Sequence, residues 1–148
     1  MSLEEKINAD IKSAMLAKEK EKLNALRAIK SALLLLKTEK GGGEITEELE
    51  LKTLQKLAKQ RKESAETYRA QNRIDLAIEE EEQLAVIAQY LPQQLSVEEI
   101  TASLQELIVE NGIGGVRDMG KLMGLATKKF AGKADNKVVS EIVKSLLS

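Results

Sequence analysis

Tyr90-Leu91-Pro92-Gln93-Gln94-Leu95-Ser96 decides how this chain is read. Pro92 is the only proline among 148 residues. Proline lacks the N–H that a helix interior needs, and it pushes the residue before it out of the α region. Long, highly charged helical patterns precede the stretch. Shorter, glycine-punctuated ones follow it. The stretch therefore reads as a hinge between two all-helical domains, residues 1–91 and 92–148.

Composition supports helices. The chain is 43% hydrophobic, 32% charged and only 2% aromatic. Its core must be built from Leu, Ile, Val, Ala and Met, which with a single proline favours helix over sheet. Cysteine and histidine are absent. That removes thiolate chemistry, disulfides, the commonest general base and the commonest metal ligand. No cofactor and no metal site is expected. The N-terminus is acidic, with no apolar leader, and apolar runs such as Ala32–Leu36 are too short to span a bilayer. A cytoplasmic protein with no membrane partner is the expectation.

In the first domain, Ser2 and Glu5 form a capping-box pattern, followed by Leu3, Ile7, Ile11 and Ala14 at helical spacing. The pattern lapses at the charged run Lys18–Lys22. A second helix is predicted from about Leu23 to Lys37, with an apolar arc that Ala28 and Leu35 widen beyond one face. Gly41-Gly42-Gly43 reads as a break and loop tip. Thr46 caps a third helix, and Asn72 suits a left-handed turn before a fourth helix, Ile74–Leu91. Arg61 lies inside the apolar arc of the third helix and Glu80 inside that of the fourth. The short link makes these two helices an antiparallel hairpin, so a partly buried Arg61–Glu80 ion pair is predicted, structural in role. Asp10 and the rest of Glu79–Glu82 are the alternative partners for Arg61.

In the second domain, Ser96 and Glu99 form another capping box and Gly112 ends the helix. A next helix carries Val116, Met119, Met123, Ala126 and Phe130. Its interior Gly120 and Gly124 suggest close approach of a neighbouring backbone or a ligand. Asp135 caps the last helix. The result is a small three-helix bundle of about 55 residues, near the lower size limit for independent folding.

Motif tests mostly exclude. Gly132-Lys133 resembles the end of a phosphate-binding loop, but Thr127 stands where glycine is needed and no Ser or Thr follows Lys133. Glu79–Glu82 point around a helix and cannot converge on one ion. Charge is more informative. Residues 52–73 carry Lys52, Lys56, Lys59, Arg61, Lys62, Arg69 and Arg73 against Glu63 and Glu66. Residues 112–148 carry Arg117, Lys121, Lys128, Lys129, Lys133, Lys137 and Lys144 against Asp118, Asp135 and Glu141. Helix N-termini near Gly115 and Asp135 would add N–H donors for phosphate. Candidate nucleic-acid contacts are Lys121, Lys128, Lys129, Lys133 and Lys137, with Lys52, Lys56 and Lys59. With aromatics this scarce, RNA would be met through shape and backbone.

Five phrases resemble the YqeY-like family: Lys59-Gln60-Arg61-Lys62-Glu63-Ser64, Arg73-Ile74-Asp75-Leu76-Ala77, Tyr90-Leu91-Pro92, Asp118-Met119-Gly120-Lys121-Leu122-Met123 and Gly132-Lys133-Ala134-Asp135. The resemblance covers nearly the whole chain, and Asn72 stands where the family has glycine. It implies kinship with the C-terminal tail of GatB, the B subunit of the tRNA-dependent amidotransferase. It implies two helical domains, a tRNA-contacting role, no catalytic residues to carry over, and partners among tRNA, the amidotransferase or a synthetase. The family often carries a carbon–nitrogen ligase label, with glutamine as amido-N donor. The leading expectation is a tRNA-binding accessory module. The alternatives are a protein-interaction module using the apolar arc of the second helix, and an autonomous ligase-type enzyme.

Overall fold

Ser2, Thr46 and Ser96 start three helices by one device: each hydroxyl accepts a backbone N–H three residues on, from Glu5, Leu49 and Glu99. At Ser96 the Glu99 carboxylate also takes the Ser96 N–H, completing the box. The computed structural model describes residues 2–39 and 44–148. The reading of Gly41–Gly43 as a loop falls outside them. Among the described residues the protein is all-α, with seven α-helices and one 3₁₀ turn. The chain divides into two compact units, Met1–Leu91 and Pro92–Ser148.

The first unit contains α1 (Leu3–Ala17), α2 (Lys20–Glu39), α3 (Glu47–Ala70) and α4 (Ile74–Ala88). Ile7, Leu26, Ile29, Leu54 and Ile87 form the centre of its core. Helix α2 begins at Lys20, not at Leu23. Lys18 takes a left-handed conformation (φ 57°), and the N–H groups of Lys18 and Glu19 close α1 onto the carbonyls of Met15 and Ala14. That turn is complete within two residues, so the following Lys-Glu-Lys run is free to be helix. Helix α4 stops at Ala88, short of Leu91. The N–H groups of Gln89, Tyr90 and Leu91 bond to the third carbonyl back, a tightening of the last turn ahead of Pro92.

Asn72 (φ 60°) makes the turn between α3 and α4. Its own N–H bonds to Arg69 and that of Arg73 to Tyr68, the double closure of a Schellman motif. Past the core, this helix pair is packed through Ala65 and Ala77. Polar bridges cross it. Arg61 Nε donates to Gln83 Oε1 at 2.8 Å and lies 3.7 Å from Glu80 Oε2. Gln83 in turn donates to Glu21 on α2 at 2.9 Å. Arg69 Nε donates to Glu81 at 2.9 Å and holds that exposed carboxyl below the usual carboxylate range. Asp10 accepts from the Tyr90 hydroxyl, and Lys37 pairs with Glu4.

The second unit contains α5 (Val97–Glu110), a 3₁₀ turn (Val116–Asp118), α6 (Met119–Lys129) and α7 (Asn136–Leu147). Its core joins Ile100, Leu104, Leu122, Ala126, Phe130, Val139 and Val143. The middle helix buries a different arc from the one its spacing predicts. Val116 lies in the 3₁₀ turn, 58% exposed, while Leu122 is fully buried. The 3₁₀ turn takes Val116 out of the helical register, and within α6 Leu122 enters the core while Met119 and Met123 flank it. Close approach does not explain Gly120 and Gly124 either, since a Cβ at either would meet nothing within 4 Å.

Gln94 and Leu95 belong to this second unit. Leu95 N–H donates to the Lys133 carbonyl at 2.9 Å, and the Gln94 amide donates to the Gly132 carbonyl at 2.8 Å. Gly132 has φ 75°, a conformation that glycine adopts without strain, and Ala134 is buried. The Gly132–Asp135 phrase is thus a main-chain fastening for the residues after Pro92.

Candidate nucleic-acid interface

Helix α6 buries Leu122 and Ala126, and Phe130 just past its end. At 100° per residue, the side of α6 opposite that face is occupied by Lys121, Gly124 and Lys128, all exposed, and the exposed Arg117 stands in the 3₁₀ turn just before the helix. Two cations, Lys121 and Lys128, therefore share the outer side of α6 with Gly124 between them, and Arg117 adds a third in the turn that precedes it. Lys121 Nζ reaches the Asn111 carbonyl at 3.5 Å, long enough to exchange for another acceptor. Lys129 is exposed a quarter-turn away. Arg117 contributes to the local charge of residues 112–148 and stands outside the predicted contacts.

The remaining candidates are more dispersed. Lys133 is exposed, its main chain engaged by Leu95 and its own N–H bonded to the Phe130 carbonyl at 2.8 Å. Lys137 stands in the first turn of α7, its N–H held by Asp135 Oδ1 at 3.0 Å. Along the outer face of α7, Glu141 falls between Lys137 and Lys144 and dilutes the charge. In the first unit, Lys52, Lys56 and Lys59 are exposed on one side of α3, and Lys52 pairs with Glu48 at 3.5 Å.

The two helix N-termini expected to receive phosphate carry aspartates instead. Asp118 precedes α6 and accepts the Gly114 N–H at 2.8 Å, while Asp135 caps α7. A carboxylate in each place answers the partial positive charge of the helix end and disfavours a second anion. Any phosphate site in this unit must use side chains.

A second feature lies on α3. Gln60, Glu63, Ser64, Thr67, Tyr68 and Gln71 line an open depression of about 440 Å³. Apart from Tyr68 the residues that line it are polar or charged, their aliphatic stems included in the surface. The Thr67 hydroxyl is used internally, donating to the Glu63 carbonyl at 3.0 Å. Among the described residues no group of carboxylates could hold a metal ion. Among the described residues no helix is long and apolar enough to cross a membrane.

Two fungal relatives, both named altered inheritance of mitochondria protein 41, mitochondrial, are similar to this chain. That of Pyrenophora tritici-repentis is 30% identical over 149 aligned residues, covering 96% of this chain and 79% of the relative. That of Meyerozyma guilliermondii is 37% identical over 86 residues, covering 57% of this chain and 44% of the relative. A sequence model of Yqey-like protein matches residues 4–147. With that match running through both units, the chain belongs to the YqeY-like family.

Proposed function

We propose that this protein is a tRNA-binding accessory module linked to the tRNA-dependent amidotransferase. The observation that supports this reading is the exposed pair Lys121 and Lys128, set opposite the core face of α6, with the exposed Arg117 in the turn before it. Lys129, Lys133 and Lys137 extend the positive surface of the same unit, and Lys52, Lys56 and Lys59 supply a second patch on α3. Cations of this kind attract a phosphate backbone without reading sequence, and each neutralised phosphate releases counterions. The reading assigns no bond-making chemistry to this chain. The carbon–nitrogen ligase label then describes the larger enzyme.

The test is titration of labelled tRNA followed by anisotropy. If three phosphates are neutralised, affinity should fall on the order of 40-fold between 50 and 200 mM salt. Arg117→Glu combined with Lys121→Glu and Lys128→Glu should abolish binding while leaving helical content unchanged. A wild-type protein that shows no binding at low salt overturns the reading.

One observation favours a second reading, docking on an amidotransferase, a synthetase or another protein. Leu34 and Leu35 on α2 are 48% and 61% exposed. Capture of such a partner that survives nuclease and is lost on Leu34→Lys with Leu35→Lys would favour it. The cytoplasm is the proposed location. The names of the two relatives make the mitochondrion the alternative, and fractionation of the source cells decides between them.

A further inference from the structure

We propose that the depression on α3 is a stacking site for one unpaired base of a bound RNA, with Tyr68 as its platform. The inference rests on the RNA reading above and adds a second kind of contact to it. The chain has three aromatic residues. Phe130 is buried, and the Tyr90 hydroxyl is committed to Asp10. Tyr68 alone among them is half-exposed with no described hydrogen bond from its hydroxyl, and it opens onto the depression. Any base has a π-face that such a ring can hold, so the platform is tolerant of sequence.

The surrounding groups suit a base edge better than a phosphate. Gln60 and Gln71 each bring an amide that both donates and accepts, and Ser64 adds a hydroxyl. Glu63 sits among them. Its carboxylate repels a phosphate but accepts from an exocyclic amine, as on cytosine. One turn N-terminal of Gln60 is the exposed Lys56, placed where the phosphate of the same nucleotide would go. Charge therefore changes along the helix in the order a nucleotide needs: cation for the phosphate, then amides, carboxylate and ring for the base. The volume of about 440 Å³ is within the range of small-ligand sites.

The chain contains no tryptophan, so Tyr68→Trp places a single reporter in the site while keeping an aromatic platform. Adding a single-stranded RNA oligonucleotide should quench its emission, whereas a blunt RNA duplex should bind without quenching. Tyr68→Ala should weaken single-strand binding by about 5- to 100-fold, the usual worth of one stacked base, with the salt slope unchanged. Gln60→Ala with Gln71→Ala, both exposed, should weaken it less and guards against misfolding of the Tyr68 variant. If wild-type protein binds no RNA at low salt, the accessory-module reading fails and this inference with it. If single strands bind but neither quench Tyr68→Trp nor lose affinity in Tyr68→Ala, this inference alone is overturned.

Discussion

The two units solve the same packing problem with different means. The smaller, residues 92–148, gathers eleven buried apolar residues into one cluster. Among its described residues the larger, 1–91, gathers nine around its core although its helices are longer. What the larger unit lacks in apolar density it makes up with polar cross-braces. Arg61, Gln83 and Glu21 link three helices, Arg69–Glu81 braces the hairpin, and Tyr90–Asp10 ties the end of α4 to α1. Helices as charged as α3 cannot bury a continuous stripe, so orientation falls to directed bonds. Such bonds give geometry at little net gain, because water competes for the same groups. The smaller unit should therefore respond most to lost volume, and the larger to lost partners.

The largest expected effect tests that contrast in the smaller unit. Leu122→Ala should cost about 2–5 kcal/mol, enough to unfold a bundle of this size, while Val116→Ala should cost almost nothing. Urea titration followed by circular dichroism measures both. Equal effects would mean that the phase of α6 is wrong. Both tyrosines lie in residues 1–91, so tyrosine emission reports the larger unit alone and should be unmoved by Leu122→Ala.

Next comes Arg61→Ala, which strands the half-buried Glu80 and frees Gln83. It should lower the stability of the larger unit by about 1–3 kcal/mol. A double cycle with Glu80→Gln and Gln83→Ala apportions the loss. Gln83 should carry the larger coupling, since its bond is 2.8 Å against 3.7 Å for the carboxylate.

A smaller effect concerns Tyr90. Burial and then the hydrogen bond to Asp10 raise its phenol above the ordinary tyrosine value. The folded state thus holds this proton more tightly than the unfolded chain. Its contribution is fully present below the unfolded value of about 10 and is lost as pH rises above it. Tyr90→Phe should cost about 1 kcal/mol near neutrality and flatten that alkaline loss, measured by thermal melts from pH 8 to 11.

The smallest effects have the opposite sign. Gly120→Ala and Gly124→Ala place a methyl in open space within a helix and should each stabilise by about 0.4–1 kcal/mol. Lys18→Gly should stabilise by a similar amount, since Lys18 is held at φ 57°. If the two helix glycines serve RNA, Gly124→Ala should gain stability and lose affinity together.

Much of the fold was legible because its signals are local. Capping at Ser2, Thr46 and Ser96 and the left-handed turns at Asn72 and Gly112 each need only a few adjacent residues. Lys18 escaped the same logic because lysine is an unfavourable choice for a left-handed turn, and composition offered no warning. The burial of Leu122 was hidden because Met119, Met123, Ala126 and Phe130 already form an apolar arc at helical spacing, which Val116 extends in sequence although it lies in the 3₁₀ turn. Gln83 was passed over because a neutral amide carries no charge to flag it, although it makes the shorter bond to Arg61. The depression on α3 required knowing which aromatic rings were already committed, and only tertiary contacts decide that.

The fastening of Gln94 and Leu95 to the carbonyls of Gly132 and Lys133 has a kinetic consequence. It joins residues 38 apart in sequence. A closure of that span cannot precede the elements it encloses without a large entropic cost. Helices α5 and α6 must therefore dock before these bonds gain anything by forming. In refolding, protection of the Leu95 amide should arrive with or after that of the Leu104 and Leu122 amides, making it a clock for the last step by which residues 92–148 become native.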